Sequence, residues 1–240
     1  MVHLSALPWD FRQLNEQIQR VSAEDIQIDD CCGQRFIGSG FTHKNITIKG
    51  TPGNALGAYL NGASIRVYGN VQDAVGDTMN DGEIMVHGNA GDALGYAMRG
   101  GRIFVRGDAG YRAGIHMKEY QDKKPVIVVG GKVGSFLGEY LAGGVMVVLG
   151  LWDDALPVGN FTGTGMHGGK IFIRTRKSLS GLPEQVSAKQ ATEEELQEIL
   201  PHMEAFTRLF GGDAQALLQD EFYLLRPNAK NPYKQLYVAN

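Results

Sequence analysis

The chain has 240 residues, enough for one large domain or two small ones with a sizeable core. Its net charge of −3 comes from intermixed acids and bases, so it carries no electrostatic footprint for nucleic acid or an anionic membrane surface. Its 33 glycines are about twice the usual share of roughly 7%, but they lack the period of three of collagen and alternate with isoleucine and valine.

At the N-terminus, Met1–Ala6 lacks a basic region followed by an apolar stretch, the pattern of a secretory leader. No later apolar run approaches the ~20 residues that span a bilayer. A cytoplasmic protein with neither nucleic acid nor membrane as partner is therefore expected. Residues 1–40 read as a lead-in. Asp10 and Gln13 form a capping box that opens a short helix over Phe11–Arg20, with Phe11, Leu14 and Ile18 on one face. Ile26 and Ile28 then alternate with polar residues in a strand ending near Cys31. Cys31 and Cys32 are adjacent and are the only cysteines. Zinc or an iron–sulfur cluster needs about four ligands, so the pair reads as two small buried strand residues.

Residues 41–176 hold a repeat. Its openings are Ile46-Thr47-Ile48, Ile65-Arg66-Val67, Ile84-Met85-Val86, Ile103-Phe104-Val105, Val126-Ile127-Val128, Val145-Met146-Val147 and Ile171-Phe172-Ile173, the first four at intervals of 19 residues. Glycine follows most openings at a fixed offset (Gly50, Gly69, Gly88, Gly107, Gly130) and recurs in mid-repeat at Gly57, Gly76, Gly95, Gly114 and, shifted by one, Gly138. Each opening is a short strand whose first and third residues, all β-branched, point inward. Glycines interrupt the remainder of each repeat too often for a helix. The expected fold is an all-β solenoid, a parallel β-helix of about seven turns rising roughly 34 Å. A leucine-rich repeat is the runner-up, but its period of ~20–29 and its asparagine-containing leucine pattern are missing.

The outward positions are polar in the early repeats and become apolar at Phe104, Ile127, Val129, Met146, Val148 and Phe172. Either the C-terminal helix or a partner subunit should cover such a stripe. The period breaks twice, by four residues within Gly114–Tyr120 and by seven around Leu151–Asp154, and inserts in a repeat array become loops. If both loops lie on one side, His116, Lys118, Glu119, Trp152 and His167 cluster there. Either an interface or a general acid–base site would use them, and no nucleophile–base spacing favours the second. The interface candidates are His116, Met117, Lys118, Glu119, Trp152, Met166 and His167 from the loops, with Phe104, Ile127, Met146 and Phe172 from the stripe. Asn54, Asp73 and Asp92 share one repeat position; they bind turn amides or, as a carboxylate ladder, calcium. Gly163-Thr164-Gly165-Met166-His167-Gly168 spells a dinucleotide fingerprint but precedes a strand and opens no helix, so no Rossmann role follows.

Residues 177–240 form a helical tail in which glycine becomes rare. Thr192 and Glu195 make a second capping box, and Leu196, Ile199, Leu200, Met203, Phe206 and Leu209 follow at helical spacing. Pro201 should kink or restart this helix, and Gly211-Gly212 ends it. A short helix is expected over Asp213–Asp220, then twenty irregular residues.

Gly69–Gly76, Gly95–Gly101, Gly110–Lys118 and Gly163–Gly169 strongly resemble the GXGXG domain, the C-terminal β-helix of the glutamate synthase large subunit. The resemblance runs over about residues 26–176 and rests on whole motifs. It implies a right-handed β-helix that performs no chemical step and packs between an amidotransferase domain hydrolysing glutamine and an FMN domain making glutamate. This chain lacks the nucleophilic cysteine at an amidotransferase N-terminus, a flavin barrel and cluster-binding cysteines. The resemblance extends to free-standing GXGXG subunits of split glutamate synthases, of methylamine–glutamate N-methyltransferase and, more distantly, of formylmethanofuran dehydrogenase. It therefore implies a scaffold without cofactor or metal, serving a glutaminase-type subunit and an FMN-containing synthase subunit that carry FMN and iron–sulfur clusters. Self-association stays open, as does a stand-alone enzyme.

Overall fold

The computed structural model describes residues 1–228. Among these, eleven strands form one sheet in an all-β chain with few helices. The strands are β1 (Val2–Ser5), β2 (Asp25–Cys32), β3 (Asn45–Thr51), β4 (Asn61–Tyr68), β5 (Asp81–Val86), β6 (Arg102–Val105), β7 (Val126–Val129), β8 (Ala142–Val148), β9 (Gly168–Arg174), β10 (Val186–Gln190) and β11 (Phe222–Pro227). The helices are α1 (Phe11–Arg20), α2 (Glu193–Phe210) and α3 (Ala214–Leu218). From β1 to β9 each strand pairs in parallel with the next in chain order. The antiparallel pair β11 and β10 then follows β9.

Isoleucine stacks on isoleucine along the inner face. Ile46, Ile65, Ile84, Ile103, Ile127, Met146 and Ile171 are in direct register, and all are buried. This column corrects the expected phase of β7 and β8. Ile127, Val129, Met146 and Val148 point into the core, whereas Val128 and Val147 face outward. The inserts are accordingly five and six residues, not four and seven. The glycines carried the missing signal: Gly138 follows Ile127 at the distance at which Gly114 follows Ile103, so Gly138 is in step. The mid-repeat glycine is a packing requirement. At Gly76 φ is +68°, and a Cβ would lie 2.5 Å from Ile103 Cδ1. The same fit recurs at Gly57, Gly95, Gly114 and Gly138 against Ile84, Ile127, Met146 and Ile171.

The outer face is apolar from Met85 onward, through Phe104, Val128, Val147 and Phe172. Helix α2 covers it with Leu196, Ile199, Met203 and Phe206, so the stripe is internal to the chain. The Thr192–Glu195 capping box starts α2, which runs unbroken through Pro201. Pro201 and Gln197 are both exposed, so the carbonyl that loses its partner is on the solvent side.

Both ends of the stack are closed. Helix α1, opened by its Asp10–Gln13 box, buries Leu14 and Ile18 over the first strands. At the other end Leu225 of β11 and Val186 enter the core. Strands β1, β10 and β11 have no counterpart in the sequence reading, because short edge pairs depend on partners far away in the chain. Residues 222–227 are thus strand and not irregular; residues 229–240 of the expected irregular tail lie outside the described residues. Cys31 is buried and its thiol pKa is pushed up to about 11 by desolvation, whereas Cys32 is exposed, against the expectation for it.

Candidate partner interface

Two features recur from repeat to repeat outside the strands. The first is a pair of side-chain ladders. Asn54, Asp73 and Asp92 each accept from the backbone N–H one repeat further on, those of Asp73, Asp92 and Tyr111, at 3.2, 2.9 and 2.8 Å. Asn70, Asn89 and Asp108 do the same to Asn89, Asp108 and Lys132, a second ladder the sequence reading passed over. The amide alternative therefore describes the first ladder. Among the described residues no group of three or more His, Cys, Asp or Glu side chains could hold a metal ion.

The second feature is a wall of left-handed backbone. Of the fourteen described non-glycine residues with positive φ, all but Asp30 and Gln121 lie on it. They flank the mid-repeat glycine on both sides, as Ala55 and Tyr59 flank Gly57, and Arg112 and His116 flank Gly114. Such a conformation costs a non-glycine residue about 1–2 kcal/mol. Cross-repeat hydrogen bonds hold the wall in register, for example Thr78 N–H to Tyr96 O at 2.7 Å and His116 N–H to Glu139 O at 2.9 Å.

Aromatic side chains project from this wall. His116 stacks on Tyr140 with centroids 5.0 Å apart and meets the edge of Tyr96 at 6.0 Å. Phe136 stacks on Phe161 at 5.0 Å, and the Arg112 guanidinium lies 4.7 Å above Phe136 while Nε bonds Glu139 at 3.1 Å. Phe36, Tyr59, Tyr96, Tyr111 and Phe161 are 40–58% exposed.

The expected cluster forms only in part. The first insert leads into β7 and the second follows β8, so they lie at opposite ends of the parallel strands. His116, Lys118, Glu119 and His167 are exposed near the N-terminal strand ends. Glu119 accepts from Gly144 N–H at 3.1 Å, and His167 Nδ1 lies 3.0 Å from Gly165 O. Trp152 stands at the other end, its Nε1 donating to Arg106 O at 3.2 Å. Met117 and Met166 are buried, as are Ile127 and Met146, in the inner core. Phe104 and Phe172 lie under α2. None of these six is available on the surface, so the accessible part of the predicted interface is the histidine corner and Trp152.

A groove of about 930 Å³ runs between α2 and the N-terminal ends of the strands. Six of its charged side chains meet in pairs: Arg102 with Glu83 and Lys123 with Asp81, both at 2.9 Å, and Lys170 with Glu198. It does not contain the predicted histidines.

The GXGXG motif family matches residues 15–228, and the chain belongs to it. The match runs beyond residues 26–176 at both ends and takes in α2 and β11. "Uncharacterized protein MJ1350" of Methanocaldococcus jannaschii is 41% identical over 253 aligned positions, covering 100% of this chain and 97% of that protein. A solved chain of the formyltransferase/hydrolase complex (FhcABCD) from Methylorubrum extorquens, determined with methylofuran, is similar in fold, with TM-score 0.67 and 18% identity. The likeness covers 92% of this chain and 90% of that one. No described helix is long and apolar enough to cross a membrane.

Proposed function

We propose that this chain is a non-catalytic subunit of a multi-subunit enzyme, its stacked repeats forming a right-handed parallel β-helix that scaffolds the catalytic partners. The observation that carries this reading is membership of the GXGXG motif family across residues 15–228. The wall of exposed aromatic rings supports it, since contact area of that kind is what association uses. The first assignment is a split glutamate synthase in the cytoplasm. In it the chain joins a glutaminase-type amidotransferase subunit to an FMN-containing synthase subunit and helps shield ammonia passing between them. FMN and iron–sulfur clusters belong to the partners, and residues 41–176 form the scaffold between the lead-in and the helical tail.

A second assignment keeps the scaffold and changes the enzyme to a one-carbon or amine complex. The fold likeness to a chain of the formyltransferase/hydrolase complex favours it. Affinity purification from the native host with mass spectrometry separates the two. Glutaminase-type and FMN-type subunits in fixed ratio, making glutamate from glutamine and 2-oxoglutarate, support the first. Formyl-transferring or hydrolase subunits support the second, and a chain recovered alone at native abundance sinks both.

A further inference from the structure

Between α1 and the loop from β2 to β3 lies a pocket of about 210 Å³. Phe11, Phe36 and Phe41 give it apolar walls, and Arg12, Asn15 and Ser39 give it polar ones. Asn15 ties the two sides together, its Nδ2 donating to Phe11 O at 2.7 Å and to Arg35 O at 2.8 Å. The Arg35 guanidinium lies 4.6 Å from the Phe11 ring centre, and the Arg12 guanidinium lies 5.6 Å from the same centre. Phe36 stands 6.1 Å from Phe11, centroid to centroid. Both arginines are exposed, and no carboxylate among the described residues pairs with either. The acids nearest in the chain are already engaged, Asp10 in the cap of α1 and Glu16 with Arg20.

Stacking on a ring occupies the face of a guanidinium and leaves its in-plane N–H donors free. Two other arginines of this chain use those donors on a carboxylate. Arg112 lies 4.7 Å over Phe136 and donates to Glu139 at 3.1 Å, and Arg102 lies 6.0 Å over Phe104 and meets Glu83 at 2.9 Å. Arg106 over Trp152 also lacks a carboxylate, but among the described residues only Phe11 has two arginines on one ring and neither one paired. Phe36 adds an independent observation. It has φ +61° and is 44% exposed, where the next three repeats place Ala55, Ala74 and Ala93 with the same cross-repeat hydrogen bond. A bulky residue is unfavourable in that conformation, and a side chain so exposed gains little from the core in return.

We propose that this pocket docks a segment of a protein partner that presents an apolar side chain beside a carboxylate. The side chain enters between Phe11, Phe36 and Phe41, and the carboxylate bonds the free edges of Arg12 and Arg35. The two uncompensated charges call for an anion, and the three rings favour one carried on an apolar group. At about 210 Å³ the pocket suits one side chain and falls below the roughly 300–1,000 Å³ of small-molecule sites. This docking site rests on the scaffold reading and supplies one of its contacts.

The test uses the full chain in the complex recovered from its host. Arg12→Gln with Arg35→Gln removes both charges while keeping side-chain donors, and partner binding should fall about tenfold or more. Added salt should weaken wild-type binding and have less effect on the double variant. Phe36→Ala matches what Ala55, Ala74 and Ala93 already provide in that column, so the fold should hold while binding weakens. Urea unfolding of both variants checks the fold. On the full chain alone, N-acetylphenylalanine should shift the arginine Nε–H resonances that the double variant lacks, and its uncharged amide should not. Unchanged partner affinity in both variants overturns the docking site and leaves the scaffold standing. Equal shifts from the acid and its amide, or none from either, overturn the carboxylate as the group recognised. A chain that recovers no partner overturns both the docking site and the scaffold.

Discussion

At the residue scale, two kinds of position dominate. The mid-repeat glycine combines a left-handed backbone with a missing Cβ, and two substitutions separate those demands. Gly33 has φ +82° and nothing within 4 Å of an added Cβ, so Gly33→Ala should cost only the conformational strain of about 1 kcal/mol. Gly76→Ala adds a clash at 2.5 Å with Ile103 Cδ1 and should cost about 2–5 kcal/mol. Urea unfolding of both variants measures the gap; equal losses would mean that packing at Gly76 relaxes freely. The ladder side chains act through an acceptor oxygen. Asp92→Asn retains it and should be nearly neutral, whereas Asp92→Ala strips a partner from Tyr111 N–H and should cost about 1–2 kcal/mol.

At the element scale, α2 governs how much apolar surface the molecule shows. Phe206 is buried under it, and Phe206→Ala should destabilise by about 3–5 kcal/mol in the same unfolding assay. Two histidines stand at this contact. His87 lies between Tyr68 and Phe210, with centroids at 4.5 and 5.0 Å, and its Nε2 is buried without a hydrogen bond. His202 on α2 likewise has a buried, unbonded Nδ1. Desolvation, with Arg66 and Arg106 facing His87 and Arg102 facing His202, lowers both pKa values from the ordinary 6.5. A lowered histidine pKa makes the docked form refuse protons that the undocked form accepts. Docking is therefore strongest above pH 6.5 and weakens as pH falls toward the lowered values. Hydrophobic-dye binding should rise on mild acidification below pH 6.5, less so in a His87→Gln, His202→Gln variant. A dye response identical in that variant would assign the effect to other groups.

At the scale of the whole molecule, α2 and the β10–β11 pair finish a stack that otherwise ends on an open edge and an apolar face. Ending the chain at Gln190 would uncover Phe104, Val128, Val147 and Phe172 and leave the outer edge of β9 open. Such a truncation should self-associate, which light scattering after size exclusion detects. A monomeric, cooperatively unfolding truncation would show that the repeats need no cover. The motifs that carry the family resemblance lie within the stack, whereas the family match reaches residue 228 and so includes the covering elements. That extent agrees with α2 being part of the domain's own core closure.

What the sequence determined by itself was whatever is local or strictly periodic. The column from Ile46 to Ile103, the mid-repeat glycines and both capping boxes each depend on residues within one repeat or one helical turn. The family resemblance came from the same repetition. Tertiary structure decided what depends on register after an interruption, because a one-residue slip exchanges inside for outside in every side chain of a strand. This is why Ile127 and Met146 went from the stripe to the core. It also decided the aromatic wall. Tyr96, His116 and Tyr140 look like scattered surface residues until left-handed backbone at His116 and Tyr140, held by hydrogen bonds from the next repeat, brings the three rings together.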